Sequence, residues 1–371
     1  MLNVSHVVSF SDGRLPKIPS DDFGPRSGNE FHVTTRDHRE LRNILSQTRA
    51  NPYGDYSQFR LNVRALIEGP QFPSAVRDMC HEIKGSRMHN ERLHFLIRNL
   101  PVDLNVPSFN SQSEKDSLQT KYAVKKTFIG EAVLEMFSQL TGTPLLAYST
   151  RNNGDFFQDV IAEQKYQGTQ TQKTDGELYP HNDRTAHDVR PDILNLLAMR
   201  KTGGNMIPTS YFDGRALLTN LSPVEREALQ EAIFFTPFDD FSKASNPGQQ
   251  RSEPHAVLSY ADNDRRAPMF RFYSGRTDAL EGTHEHVATR ALLKLERALK
   301  SAQKYQVNLE QGDLLSIPNL RGLHSREVID VVNPQARAQR WLLKTYAFWN
   351  ESARNGFAHR FDTRASGRVI D

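Results

Sequence analysis

Past Gly142 the chain stops reading as helix and breaks into short runs rich in branched and aromatic residues. PLLAYST, DFFQDVIAEQ, DILNLLAMR, MIPTSYF, HAVLSYA, MFRFYS, YQVNL, DLLSIP and RWLLKTYAFW are each bounded by Gly, Asn, Asp or Pro, the punctuation of β-strands. Strands this short cannot bury a core singly, so they call for two facing sheets or a closed barrel. The preceding stretch has the opposite grammar. DHRELRNILSQTR, FRLNVRALIEG and PSAVRDMCHEIKG predict short amphipathic helices, the last with Pro in its first turn and Gly at its end. SEKDSLQTKYAVKKTFIGEAVLEMFSQLTG predicts a longer one, with Phe128, Val133, Leu134, Phe137 and Leu140 at helical spacing.

The expected fold is therefore mainly β with flanking helices, a β-barrel or double-sheet jelly roll braced by a helical N-terminal region. One domain over 1–371 accommodates it: an irregular arm at 1–36, helical support at 37–141, the jelly-roll core at 142–350 and a tail at 351–371. Two helices interrupt the core. SPVEREALQEAI has Ser222 as N-cap, Pro223 at the first helical position and Glu225 completing a capping box; HEHVATRALLKLERALKSAQ is long and amphipathic. SFNSQSEKDS and SKASNPGQQRSEP read as surface loops.

Composition narrows the function. With 47 basic and 44 acidic residues the net charge is +3, which lacks the basic footprint of a nucleic-acid binder. No apolar run reaches the ~18 residues of a membrane span, and MLNVSHVVSFSDGR lacks the pattern of a signal peptide. The single cysteine, Cys80, excludes an intramolecular disulfide and a cysteine zinc cage, and is expected to be buried. A soluble, cytoplasmic protein is expected.

Residues 179–192, YPHNDRTAHDVRPD, hold two histidines and three aspartates. In extended chain, i and i+2 share a face, so His181 and Asp183 can offer imidazole and carboxylate to one ion. A third ligand has to come from a distant strand, and His324 in QGDLLSIPNLRGLHSREV follows a strand and a tight turn. Two His and one carboxylate match the facial triad of non-haem Fe(II) oxygenases, although a catalytic zinc site can use the same set. Arg340, sixteen residues after His324, favours iron. A 2-oxoglutarate co-substrate needs two open iron positions and a cation for its far carboxylate, which the planar guanidinium pairs in bidentate fashion.

In order and identity, GTPLLAYSTRNNGDFFQDV, HNDRTAHDVRPDILNLLAMRK, IPTS, MFRFYS and GDLLSIPNLRGLHSREV followed by QRWLLK resemble the clavaminate-synthase-like branch of the Fe(II)/2-oxoglutarate oxygenases. That branch includes taurine dioxygenase and bacterial hydroxylases of free amino acids such as arginine and lysine. The resemblance spans residues 142–349 and implies a double-stranded β-helix, or jelly roll. It implies His181, Asp183 and His324 as iron ligands, with Arg340 on the 2-oxoglutarate carboxylate and Thr209 of IPTS assisting. It also implies that Fe(II), 2-oxoglutarate and O2 give succinate, CO2 and an oxidant that attacks an unactivated C–H bond. The family's halogenases lack the carboxylate ligand, so Asp183 implies hydroxylation of an amino acid or a related small polar or anionic metabolite. Desaturation or cyclisation is the alternative outcome, and a natural-product pathway with a free or carrier-tethered substrate is the expected setting. A zinc hydrolase or a non-catalytic metal-binding jelly roll is the alternative class, and it gives Arg340 no role.

The departures from the family pattern concern the substrate. Lys344 stands where an arginine holds the substrate carboxylate, and Arg151 where a glutamine meets the amino group. Both are expected to contact substrate, unless Arg151 simply pairs with a neighbouring carboxylate. In RFYSGR, Tyr273 and Ser274 replace the acidic residues that bind a guanidinium, which speaks against a basic substrate end. His187, Asp188 and Asp192 are expected to be framework, Asp313 a turn residue, and Trp341 and Phe348 core. His284 and His286, at i and i+2 of a helix start, share no face and are not expected to bind metal.

Overall fold

A computed structural model of the protein describes residues 28–107, 114–239, 242–243, 248–261, 266–282, 285–363 and 365–370. Most of the expected arm, parts of both expected surface loops and His284 lie outside the described residues. The strands are β1 (Glu30–His32), β2 (Phe95–Arg98), β3 (Leu145–Tyr148), β4 (Gln158–Val160), β5 (Leu178–His181), β6 (Ile193–Ala198), β7 (Thr209–Asp213), β8 (Phe234–Phe235), β9 (Leu258–Tyr260), β10 (Pro268–Phe270), β11 (Asp278–Ala279), β12 (Tyr305–Val307), β13 (Leu314–Pro318), β14 (Gly322–Arg326), β15 (Leu342–Ala347) and β16 (Arg368–Val369). A larger sheet runs β1-β2-β13-β6-β15-β3-β16, with β4 also paired to β15, and a smaller one runs β12-β7-β14-β5. Their inner faces share one apolar cluster, to which the larger sheet gives Leu194, Leu196, Leu315 and Leu342 and the smaller gives Tyr211 and Val307. This is the jelly roll that the short strands predict.

Period-two alternation then decides what covers the outside. Ile193, Leu197, Leu314 and Leu343 face away from the inner cluster and pack on Leu41, Phe59, Val63, Cys80 and Phe137 of the N-terminal helices. Phe212 and Leu323, on the outside of the smaller sheet, pack on Leu217, Leu229 and Leu295. Leu229 belongs to the helix Pro223–Gln230, whose Ser222/Glu225 capping box forms as expected, and Leu295 to the helix Glu285–Ser301. Cys80, Trp341 and Phe348 are buried, as expected. No helix among the described residues is long and apolar enough to cross a membrane.

Several boundaries differ from expectation. The larger sheet recruits β1 from the arm, β2 from the helical support and β16 from the tail, so the sheet is not confined to 142–350. The long predicted helix breaks into Glu114–Val124 and Ile129–Thr141. Asp103 explains the break: its carboxylate accepts from the amides of Ile129 and Gly130 and from the Thr127 hydroxyl, and pairs with Lys125 at 2.9 Å. A remote carboxylate thus satisfies the first amides of the second helix, as a cap would. Gly142 ends that helix at φ 70°, a left-handed conformation that favours glycine. The helix Ser74–Met88 runs through Gly85, which was expected to end it.

Gly322, at the start of β14, is required for close approach. A Cβ there would lie 2.2 Å from the Phe212 carbonyl oxygen and 2.8 Å from the Tyr211 ring. Gly322→Ala is therefore expected to destabilise the fold by about 1–3 kcal/mol, in the range of overpacked cores. Urea unfolding followed by circular dichroism measures this, and an unchanged midpoint would show that β7 and β14 can part without cost.

Candidate active site

The site is built where β14 lies between β5 and β7. His324 is in register with His181 on one side and Tyr211 on the other. Two asparagines tie the His181–Asp183 segment to the turn that precedes β14. Asn182 donates to the carbonyls of Asn319 and Gly322 (2.8 Å to the latter) and accepts from the Phe272 amide at 2.9 Å. The Asp183 amide donates to Asn319 Oδ1 at 2.8 Å. The residue between the two expected ligands is therefore the peg that holds both in place.

His181, Asp183 and His324 bring one donor atom each to within 4.8 Å of one another. Asp183 Oδ1 lies 3.2 Å from His181 Nε2 and 3.6 Å from His324 Nε2. His181 Nδ1 lies 2.7 Å from the Tyr179 carbonyl oxygen and donates to it, which leaves Nε2 as a bare lone pair facing the carboxylate. Two acceptors so placed call for a cation. Their spacing suits cis ligands of an ion with bonds of about 2.1 Å, which lie about 3 Å apart. Burial pushes His324 down to about 4, which keeps that imidazole neutral and able to ligate. Burial alone would raise Asp183, yet Lys344 and the two imidazoles hold its carboxyl well below the ordinary range.

The outer oxygen of Asp183 is held separately. Tyr346 Oη donates to Oδ2 at 2.7 Å, Lys344 Nζ lies 3.2 Å from the same atom, and Lys344 also donates to Tyr346 Oη at 2.6 Å. Lys344, expected to meet substrate, is thus engaged with Asp183, Tyr346 and Gln172. Burial lowers its pKa to about 8, with Asp183 opposing.

Two cavities meet at the metal donors. One, of about 430 Å³, is walled by Val160, Leu178, Leu194, Leu196 and Leu342 and contains Arg340 and Thr209 beside His181, Asp183 and His324. Burial alone lowers Arg340 to about 10, and among the described residues no carboxylate pairs with it. The second cavity, of about 660 Å³, is polar and holds Arg151, Gln158, Arg184, His187, Asp239 and Arg276. Arg151 faces Asp239 at 3.7 Å and donates to Ser242, so the expected alternative of a carboxylate partner is realised there. His187 accepts from Arg184 at 3.1 Å and rests 4.7 Å from the Phe238 ring, away from the metal donors. Tyr273 stacks on the His181 ring at 4.6 Å. Asp313 sits at a turn, accepting from the Glu310 amide and pairing with Arg98.

Sequence reasoning missed Gln158, Arg184, Asp239 and Tyr346. Gln158 is fully buried in the wall of the polar cavity, and its side-chain nitrogen has no hydrogen-bond partner among the described residues. Only the alternation along β4 and β15 could have pointed to Gln158 and Tyr346, because that pattern sets which residues face inward.

A jelly roll with a His-x-Asp pair facing a distal His, and beside them an arginine with no carboxylate partner among the described residues, marks a non-haem iron, 2-oxoglutarate-dependent dioxygenase. The chain belongs to the taurine catabolism dioxygenase TauD, TfdA family, whose sequence profile matches residues 77–346. No curated protein sequence matches the chain. Among solved structures it is similar to asparagine oxygenase in complex with Fe(II), 2S,3S-3-hydroxyasparagine and succinate. The identity is 19%, the match covers 92% of this chain and 99% of the other, and the TM-score is 0.74. It is similar also to the non-haem iron oxygenase OrfP with Fe and α-ketoglutaric acid, at 19% identity, 92% and 99% coverage and a TM-score of 0.71. OrfP with Fe and L-Arg gives the same identity and coverage with a TM-score of 0.69. At these identities the solved structures share the fold.

Outer-shell partners of metal ligands typically contribute 10- to 100-fold to metal affinity. Tyr346→Phe is therefore expected to weaken Co(II) binding by roughly tenfold, read by titration calorimetry. Unaltered affinity would show that the Tyr346 hydroxyl does not orient Asp183.

Proposed function

We propose that the protein hydroxylates an unactivated C–H bond of an amino acid or a closely related small metabolite, with release of succinate and CO2. In this reading His181, Asp183 and His324 hold iron(II), Arg340 takes the far carboxylate of 2-oxoglutarate, and Thr209 assists. The carrying observation is Arg340: a half-buried arginine without a carboxylate partner among the described residues, in the apolar cavity that contains all three metal donors. A zinc hydrolase or a structural metal site has no use for such a group. The amino-acid class is supported by the folds it shares with asparagine oxygenase and OrfP, solved with hydroxylated asparagine and with L-Arg respectively.

Iron and 2-oxoglutarate would supply the oxidising chemistry, and the chain supplies position and exclusion of water. Leu178, Leu194, Leu196 and Leu342 keep the co-substrate cavity dry, which strengthens the pairing of Arg340 with a carboxylate. Tyr346 and Lys344 hold Asp183 Oδ2, so that Oδ1 faces the imidazoles. In the polar cavity, Gln158 offers an unsatisfied amide to a substrate lying beside His181 and Asp183. Arg151 stands in the same wall, beside Asp239.

Anaerobic addition of Fe(II) and 2-oxoglutarate is expected to give a metal-to-ligand charge-transfer band. His181→Ala abolishes it, His187→Ala leaves it, and Arg340→Met raises the 2-oxoglutarate concentration it needs by about 100-fold, as for a lost charge-assisted pair. A band with unchanged co-substrate affinity in Arg340→Met would remove Arg340 from its role. With turnover, mass spectrometry of amino-acid candidates is expected to show a 2-oxoglutarate-dependent gain of one oxygen; loss of two hydrogens would assign desaturation or cyclisation.

A further inference from the structure

We infer that 2-oxoglutarate enters and succinate leaves through a third cavity behind Arg340, an anion-attracting entrance separate from the polar cavity. The inference rests on the role proposed above for Arg340 and adds the path by which its ligand arrives. The cavity holds about 280 Å³, and its lining includes Val160, Ala162, Asp175, Arg326, Arg337 and Arg340.

Its place in the row of cavities carries the argument. It shares Val160, Arg326 and Arg340 with the apolar cavity, and none of its described lining residues with the polar one. His181, Asp183 and Gln172, in turn, line the polar and apolar cavities together. The metal donors therefore close the apolar cavity on the polar side, and Arg340 closes it on the side of the third cavity. A molecule of 2-oxoglutarate arriving from the third cavity leads with its 2-oxo acid, which reaches the metal donors, while its trailing carboxylate comes to rest on Arg340. Arrival from the polar side would drive that carboxylate ahead, past the Asp183 carboxylate. A substrate already in the polar cavity would block that path altogether.

Charge favours the same entrance. Arg326, Arg337 and Arg340 bring guanidinium groups to the cavity, where Asp175 is the carboxylate among the described lining residues. Arg326 donates to the carbonyl of Gly176 at 2.9 Å and to that of Thr174, which fixes it without neutralising it. Arg337 lies 3.3 Å from Asp175, and its buried Nε has no hydrogen-bond partner among the described residues. Such a field attracts a dianion and raises its rate of arrival. The Asp175–Arg337 pair also stands where the cavity meets solvent, each side chain keeping 28% of its surface exposed. An ion pair that exposed is held only weakly, so it parts for a passing ligand at little cost.

The test mixes the full chain, loaded anaerobically with Fe(II), with 2-oxoglutarate in a stopped-flow cell and follows the rise of the charge-transfer band. Arg337→Gln is expected to slow association several-fold and Asp175→Asn to quicken it, both effects shrinking at high salt. Loss of a merely structural ion pair would move both rates the same way. Arg276→Gln, at the polar cavity, is expected to leave the rate unchanged. Ala162→Phe, which narrows the third cavity, is expected to slow association and dissociation together by about tenfold with the affinity unchanged, the mark of a passage. The final band of each variant at saturating 2-oxoglutarate shows it folded and loaded. The inference is overturned if Arg337→Gln and Asp175→Asn shift the rate in one direction or not at all, if Arg276→Gln slows it as much as Arg337→Gln, or if Ala162→Phe leaves both rates as they are. An Arg340→Met variant with unchanged 2-oxoglutarate affinity fails the proposed role of Arg340 by itself, because the equilibrium titration does not depend on the path of entry.

Discussion

The register of β14 between β5 and β7 is the constraint on which the site depends. It sets His324 opposite His181 and Tyr211, and it sets Arg326 opposite Thr209. A slip by one residue would exchange the faces of the strand, turning His324 into the apolar cluster now filled by Leu323 and turning Leu323 toward the metal donors. The hydrogen bonds from Asn182 and Asp183 to the Asn319–Gly322 turn oppose that slip, since they reach β14 at its first residue. The Asn182–Gly322 bond is buried and the Asp183–Asn319 bond partly so; leaving a buried partner unmatched costs about 1–3 kcal/mol. Ligand spacing and strand register are thereby one property of the fold.

Much of this was legible because it is local. The i, i+2 spacing of His181 and Asp183, the turn before His324 and the glycine at 142 each act within a few residues, and each appears in the structure as the sequence predicts. What was not legible depends on partners far along the chain. β1, β2 and β16 have only two to four residues, too few to show a period, and are strands because a sheet edge receives them. The helix break after Val124 follows from Asp103, whose carboxylate reaches Ile129 and Gly130 only in the folded chain. The periodic residues Phe128 to Leu140 all lie beyond Val124, so the hydrophobic pattern does not mark the break.

Lys344 shows the same limit within the site. Its place four residues after Arg340 suggests a cation for the substrate carboxylate. Alternation along β15 does put Lys344 and Tyr346 on the inner face, away from Leu343 and Thr345. Alternation assigns a face, however, and not a neighbour. The nearest anion is Asp183, 3.2 Å away, and a buried ammonium next to a buried carboxylate pairs with it. With Lys344 engaged there, the other cations lining the polar cavity, Arg151, Arg184 and Arg276, lie outside the strands, where the sequence carries no period.

The two cavities have unlike walls because their occupants have unlike demands. The cavity with Arg340 is lined by leucines and valine; in the function proposed above it holds one flexible acid in one orientation, and low polarity strengthens the pairing with a single arginine. In the same proposal the cavity with Gln158, Arg151 and Asp239 discriminates among small polar molecules, and discrimination comes from buried polar groups that a wrong ligand would leave unmatched. His181, Asp183 and Gln172 line both cavities, and Gln172 donates no support to the metal donors directly but accepts from Lys344. A substrate that displaces Gln172 would therefore alter the hold of Lys344 on Asp183 Oδ2.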